Sequence, residues 1–240
     1  MAKNPKIRNL KGQKRIAVIG DSWGDPKVLE TMTRTGQGPS YHTVNLLRRA
    51  GHKVYQFAEG GKGNLPMILQ FIENPPPRID WIIVFQTEAF RDYNGHFGHP
   101  NEPFDIYDKR DEILEFTYRE IERIRNHYDA RVALIGGQAH TIPQYQDIIK
   151  KVEFHIEDWR RELLGSQVDH LEGTHTLCHP YLYESKGITN GAKHGLKCVQ
   201  RDLEWVKFMN QENELFPDFC HPGGKAHTAL TKRLLKVIET

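Results

Sequence analysis

Arg15-Ile16-Ala17-Val18-Ile19-Gly20-Asp21-Ser22-Trp23-Gly24 is the stretch on which the fold turns. After Arg15 its first half is short, apolar and rich in β-branched residues, and glycine ends it. That is the signature of a strand buried on both faces. Its second half is a tight polar turn with a serine in the middle. A serine at the carboxyl end of a buried strand is where an α/β sheet offers side chains to a ligand.

Working outward, the same kind of strand recurs. Asp80–Phe85 and Arg131–Ile135 are near-continuous apolar runs, and Lys53–Ala58 is a further strand candidate. Helical spacing separates them. Ser40–Ala50 places Val44, Leu47 and Ala50 on one side, with Gly51 as a stop. Leu65–Ile72 reads as a short helix ended by Asn74 and three prolines. Ile106–Tyr128 is the longest helical stretch, with Ile113, Phe116, Tyr118, Ile121 and Ile124 on or near one face. Lys225–Ile238 is a closing helix with Ala229, Leu230, Leu234, Leu235 and Ile238 on its apolar side. Alternating apolar strands and amphipathic helices predict a three-layer α/β/α sandwich around a mostly parallel, flavodoxin-like sheet. Residues 138–215 break the rhythm. Ile148–Leu164 reads as irregular helix and Val199–Met209 as helix. The region is expected to elaborate one domain of residues 1–240 as a lid or wall on the side of the strand ends.

Composition excludes some classes. The 240 residues carry 33 basic and 31 acidic groups, a net charge of +2. That balance gives no argument for nucleic acid or for a membrane surface. No apolar run reaches membrane-spanning length, and Met1–Lys14 is basic and polar without the apolar core of a secretory signal. Cys178, Cys198 and Cys220 form no paired framework. These features point to a cytoplasmic location and are compatible with association with a virus particle. His170, His175, Cys178, His179, His194 and Cys198 include metal-ligating types, but Cys-x-x-Cys and His-Glu-x-x-His spacings are missing, so no metal and no cofactor is expected.

The second informative motif is Asp218-Phe219-Cys220-His221, just before the closing helix. A serine, a histidine and an aspartate able to meet are the minimum for serine acyl transfer. Gly-Asp-Ser after the first strand with Asp-x-x-His before the last helix resembles the SGNH (GDSL-like) hydrolase family. The resemblance covers nearly the whole chain in order and spacing. It implies Ser22 as nucleophile, His221 as general base, and Asp218 as the carboxylate that orients the imidazole. Pro222 fits a first helical position, which puts His221 at the start of the helix.

For the oxyanion hole the resemblance implies a glycine N–H from the turn Gly60-Gly61-Lys62-Gly63, with Gly61 preferred and Gly63 next. The same glycines read equally well as a flexible turn. The family's Gly-x-Asn-Asp motif is altered. Here the segment is Gln86-Thr87-Glu88, and a direct overlay puts Glu88 in place of the donor Asn. An ionised carboxylate cannot donate, so Gln86 or Thr87 supplies the bond, or Glu88 is protonated, or the donor is missing. The alteration resembles that of phage-encoded relatives. Trp23 is either a core plug or a wall of an acyl or sugar pocket. As a wall it would favour a carbohydrate ester, since sugars stack on aromatic faces. The expected function is therefore a serine esterase acting on a small-molecule or carbohydrate ester. The alternative is a non-catalytic binding or virion protein on the same scaffold.

Overall fold

A computed structural model describes residues 12–31, 38–60, 62–86, 110–136, 147–157, 159–164 and 221–240. In chain order these form β1 (Arg15–Gly20), α1 (Val28–Thr31), a 3-10 turn (Pro39–Tyr41), α2 (Thr43–Arg49), β2 (Lys53–Gln56) and α3 (Asn64–Glu73). There follow β3 (Trp81–Gln86), α4 (Arg110–Tyr128), β4 (Arg131–Gly136), β5 (Val152–Ile156), α5 (Trp159–Leu164) and α6 (Gly224–Ile238).

The five strands make one sheet in the order β2-β1-β3-β4-β5, and every pairing is parallel. This is the flavodoxin-like order, with the direction of winding reversing between β1 and β3. Successive residues of a strand point to opposite faces, and the core divides accordingly. Ile16, Val18, Ile83 and Phe85 pack with Val44 and Leu47 of α2 and with Leu230 and Leu234 of α6. Ala17, Ile19, Ile82 and Val84 pack with Met67 and Phe71 of α3 and with Tyr118 and Ile121 of α4. Helices thus cover both faces, giving three layers, α/β/α. Each fully buried Val, Leu or Ile contributes about 1.5–3 kcal/mol, so the two-sided burial of β1, β3 and β4 anchors the sheet.

Several expectations need correction. Residues 152–156 form an edge strand, not helix. Their exposure alternates along Val-Glu-Phe-His-Ile, because only one side of an edge strand is fully covered. Residues 152–156 therefore belong to the sheet, and Trp159 and Leu163 of α5 pack onto the layer that covers it; the rest of 138–215 lies mostly outside the described residues. Ala50 and Ala229 are exposed. On α6 the buried positions are Ala226, His227, Leu230, Thr231, Leu234 and Ile238. Phe116 is 51% exposed, and Leu114 is the buried neighbour that the spacing missed. Pro222 lies before the N-cap Gly223 of α6, not in its first turn. Among the described residues no helix is long and apolar enough to cross a membrane.

Candidate functional site

The carboxyl end of β1 leaves no room for a side chain at two positions, Gly20 and Gly24. Gly20 has φ +148°, and a Cβ there would lie 2.5 Å from the Phe85 carbonyl oxygen of β3. A Cβ on Gly24 would meet the Cβ of Ala58 at 2.7 Å. Glycine at both positions lets the turn sink between β2 and β3. Between them, the Gly24 N–H donates to the Asp21 carbonyl at 3.0 Å, closing a turn with Ser22 and Trp23 at its centre. Asp21, fully buried, accepts the Trp23 N–H on Oδ1 at 2.9 Å. The side chain two residues back thus braces the turn. Ser22 is 6% exposed and sits at the switch point of the sheet, where open α/β folds bind ligands.

The loop after β2 comes to the same place. It extends the pairing with β1 through the Phe57 N–H to the Val18 carbonyl at 2.8 Å and the Glu59 N–H to the Gly20 carbonyl at 3.2 Å. A methyl group added at Gly60 would lie 3.8 Å from the Cβ of Ser22. The Gly60 N–H itself is committed to Asp25 Oδ2 at 3.1 Å. The same carboxylate accepts the Lys27 N–H at 3.0 Å and the Gln56 side-chain amide at 3.1 Å on Oδ1. Asp25 is 4% exposed, and it ties the Ser22 loop to the glycine loop. Sequence reasoning missed it; the Asp25-Pro26 dipeptide, a turn signal, was the trace available. Gly63 is the buried N-cap of α3. Gly61 lies outside the described residues.

Gln86 closes β3, one step beyond the Gly20–Phe85 pairing, and is 1% exposed. Its Oε1 accepts the hydroxyl of Tyr118 on α4. That bond ties the end of β3 to α4. Thr87, Glu88 and Asp218 lie outside the described residues, as do Cys220, His96, His99 and the histidines and cysteines of 170–198.

His221 leads into α6 and is partly exposed. It stands near enough to His227 for its charge to bear on that ring. His227 is 1% exposed, so it is a core histidine. Its Nδ1 lies 3.0 Å from Thr43 Oγ1, and its ring lies 4.0 Å from the ring of His42. His42 Nε2 in turn bonds the Trp23 carbonyl at 3.1 Å. The first turn of α6 is thereby joined to the Ser22 turn, although the two lie near opposite ends of the chain. Burial lowers the pKa of His227 well below the usual histidine value, and His42 and His221 lower it further.

Trp23 is fully buried, with its ring 5.6 Å from Trp159 in an edge contact. It is a core plug. It offers no face to a sugar, and the carbohydrate preference drawn from it loses its support. No group of His, Cys, Asp and Glu among the described residues is arranged to hold a metal.

No family model matches the sequence, and no curated protein matches it. Among solved structures, one described as the crystal structure of TesA is similar over 94% of this chain and 98% of that one, with 13% identity and a TM-score of 0.41. The fold assignment rests on the strand order and the two covered faces, not on that likeness.

Proposed function

We propose that this protein is a serine hydrolase that cleaves acyl esters over the carboxyl ends of β1 and β3. Ser22 Oγ attacks the ester carbonyl, and His221 takes its proton and returns it to the leaving alcohol. Asp218 holds the imidazole tautomer and stabilises the imidazolium. Water then releases the acyl group from Ser22 by the reverse route. The oxyanion of each tetrahedral intermediate is met by the Ser22 N–H and the Gln86 side-chain amide. One such donor is worth about 3 kcal/mol of barrier.

The observation that carries this reading is the braced turn at the switch point. Two glycines without room for a Cβ and an internal Asp21 bond hold Ser22 beside Gly60, while the helix that His221 introduces is fastened to the same turn. A loop that only connected two elements would not require that convergence. The order Gly20-Asp21-Ser22 with Asp218 and His221 adds the family resemblance. Together these groups support acyl transfer as the reaction class.

The non-catalytic reading has its own support in the 6% exposure of Ser22 and in Glu88 replacing a donor. Turnover of p-nitrophenyl acetate separates the two. The wild type is expected to hydrolyse it, and Ser22→Ala and His221→Ala each to lose activity by on the order of a thousandfold or more. Equal rates in wild type and Ser22→Ala would reject the hydrolase.

A further inference from the structure

Beneath the Ser22 turn lies a buried histidine that no step of the proposed chemistry uses. His42 is fully buried and is the N-cap of α2, its Nδ1 accepting the Val44 N–H at 3.2 Å. With that lone pair occupied, the proton of the neutral ring belongs on Nε2. Nε2 then donates to the Trp23 carbonyl at 3.1 Å. Two backbone groups on two elements therefore fix one tautomer. Trp23 is held from both sides: Asp21 takes the N–H of the Ser22–Trp23 peptide, and His42 takes the carbonyl of the next one.

The histidine is held as firmly as it holds. The His227 ring from α6 lies 4.0 Å away, and Thr43, the next residue along, bonds His227 Nδ1 at 3.0 Å. Trp159 sets its ring 5.2 Å from His227. Burial lowers the pKa of His42 from 6.5 to about 3, against the pull of its bond to Trp23, and the cation of Arg48 adds to the lowering. The ring is thus a neutral donor at neutral pH.

We propose that His42 is the positioning residue of the Ser22 turn: its Nε2–H fastens the Trp23 carbonyl to the start of α2 and, through His227, to the helix that follows His221. The serine and that helix then keep one relative placement. As a statement about catalysis this rests on Ser22 being the nucleophile; as a statement about the turn it does not.

Two substitutions divide the jobs of the ring. In His42→Asn the side-chain oxygen can replace Nδ1 and keep the N-cap, but the side chain is too short to reach Trp23. In His42→Gln the amide N–H₂ can replace Nε2 and reach Trp23, but the cap is lost. Three readouts are needed: the rate of Ser22 labelling by a fluorophosphonate, amide hydrogen exchange at residues 21–24, and the melting temperature. His42→Asn is expected to label more slowly by about tenfold or more, since small misplacements at a reacting centre are costly, and to exchange faster at the turn while keeping its fold. His42→Gln is expected to stay near wild type in labelling and exchange despite a lower melting temperature. Labelling and exchange that follow only the melting temperature in both variants would overturn the proposal, as would wild-type behaviour of His42→Asn. If the wild type does not label, the hydrolase reading fails, and the exchange comparison still decides the role of His42. Should neither variant fold, ¹⁵N spectra of the wild type decide instead: a proton on Nε2 of His42 supports the proposal, and one on Nδ1 overturns it.

Discussion

Asp25 accepts the Gly60 N–H at 3.1 Å, so a single buried carboxylate sets the spacing between the loop after β1 and the loop after β2. Lys27 and Gln56 supply its other two bonds. Three donors converge on one side chain, and of these only Gln56 has a second acceptor shown, the Ala58 carbonyl at 3.2 Å.

Asp25→Ala is therefore expected to cost about 1.5–3 kcal/mol of folding stability, the scale for losing hydrogen bonds to a carboxylate. Urea denaturation would read this directly. The change should also slow any reaction at Ser22 beyond what the lost stability explains, because Gly60 and Ser22 are neighbours.

Acid should weaken the fold through His42. In the unfolded chain this histidine takes up a proton as the pH falls through about 6.5. In the folded chain burial holds its pKa near 3. Between those values the unfolded state binds more protons, so stability that is complete above pH 6.5 is lost as the pH drops. The slope from this residue is at most about 1.4 kcal/mol per pH unit. His227 is shifted in the same direction and adds to it. Denaturation curves at a series of pH values from 7 to 4 would show the decline, and His42→Gln should make it shallower.

Tyr118→Phe removes the hydroxyl that holds Gln86 Oε1. Loss of that buried hydrogen bond should cost about 1 kcal/mol. If the Gln86 amide meets the oxyanion, kcat should fall several-fold with little change in KM, since the interaction strengthens only in the transition state. A matched change in Gln86→Leu, not additive with Tyr118→Phe, would place the two residues in one unit.

Legibility followed burial. β1, β3 and β4 could be read from sequence because both of their faces are covered, so nearly every position is apolar. β5 could not. Glu153 and His155 are exposed at the sheet edge, and the mixed pattern passed for an irregular helix. The inward face of α6 departs from the apolar pattern for a similar reason: His227, a polar residue, occupies a core position, while Ala229 faces solvent. At the site, Ser22 announced itself by its place between a strand and two glycines. Asp25 and His42 did not, because their roles consist of bonds to residues distant in the chain. Asp25 reaches Gly60 across 35 positions, and the Thr43–His227 contact that backs His42 spans 184. No local pattern encodes such a meeting. Trp23 was legible only as an alternative, and packing against Trp159 decides it for the core.

An activated nucleophile at Ser22 is expected to react covalently with a serine-directed phosphonate. The wild-type protein is incubated with a fluorophosphonate, weighed intact by mass spectrometry, and digested to locate the adduct. One adduct per chain, on Ser22, and none on Ser22→Ala or His221→Ala is the expected result. A wild-type protein that stays unlabelled, or that carries the adduct at another residue, would rule out Ser22 as the nucleophile.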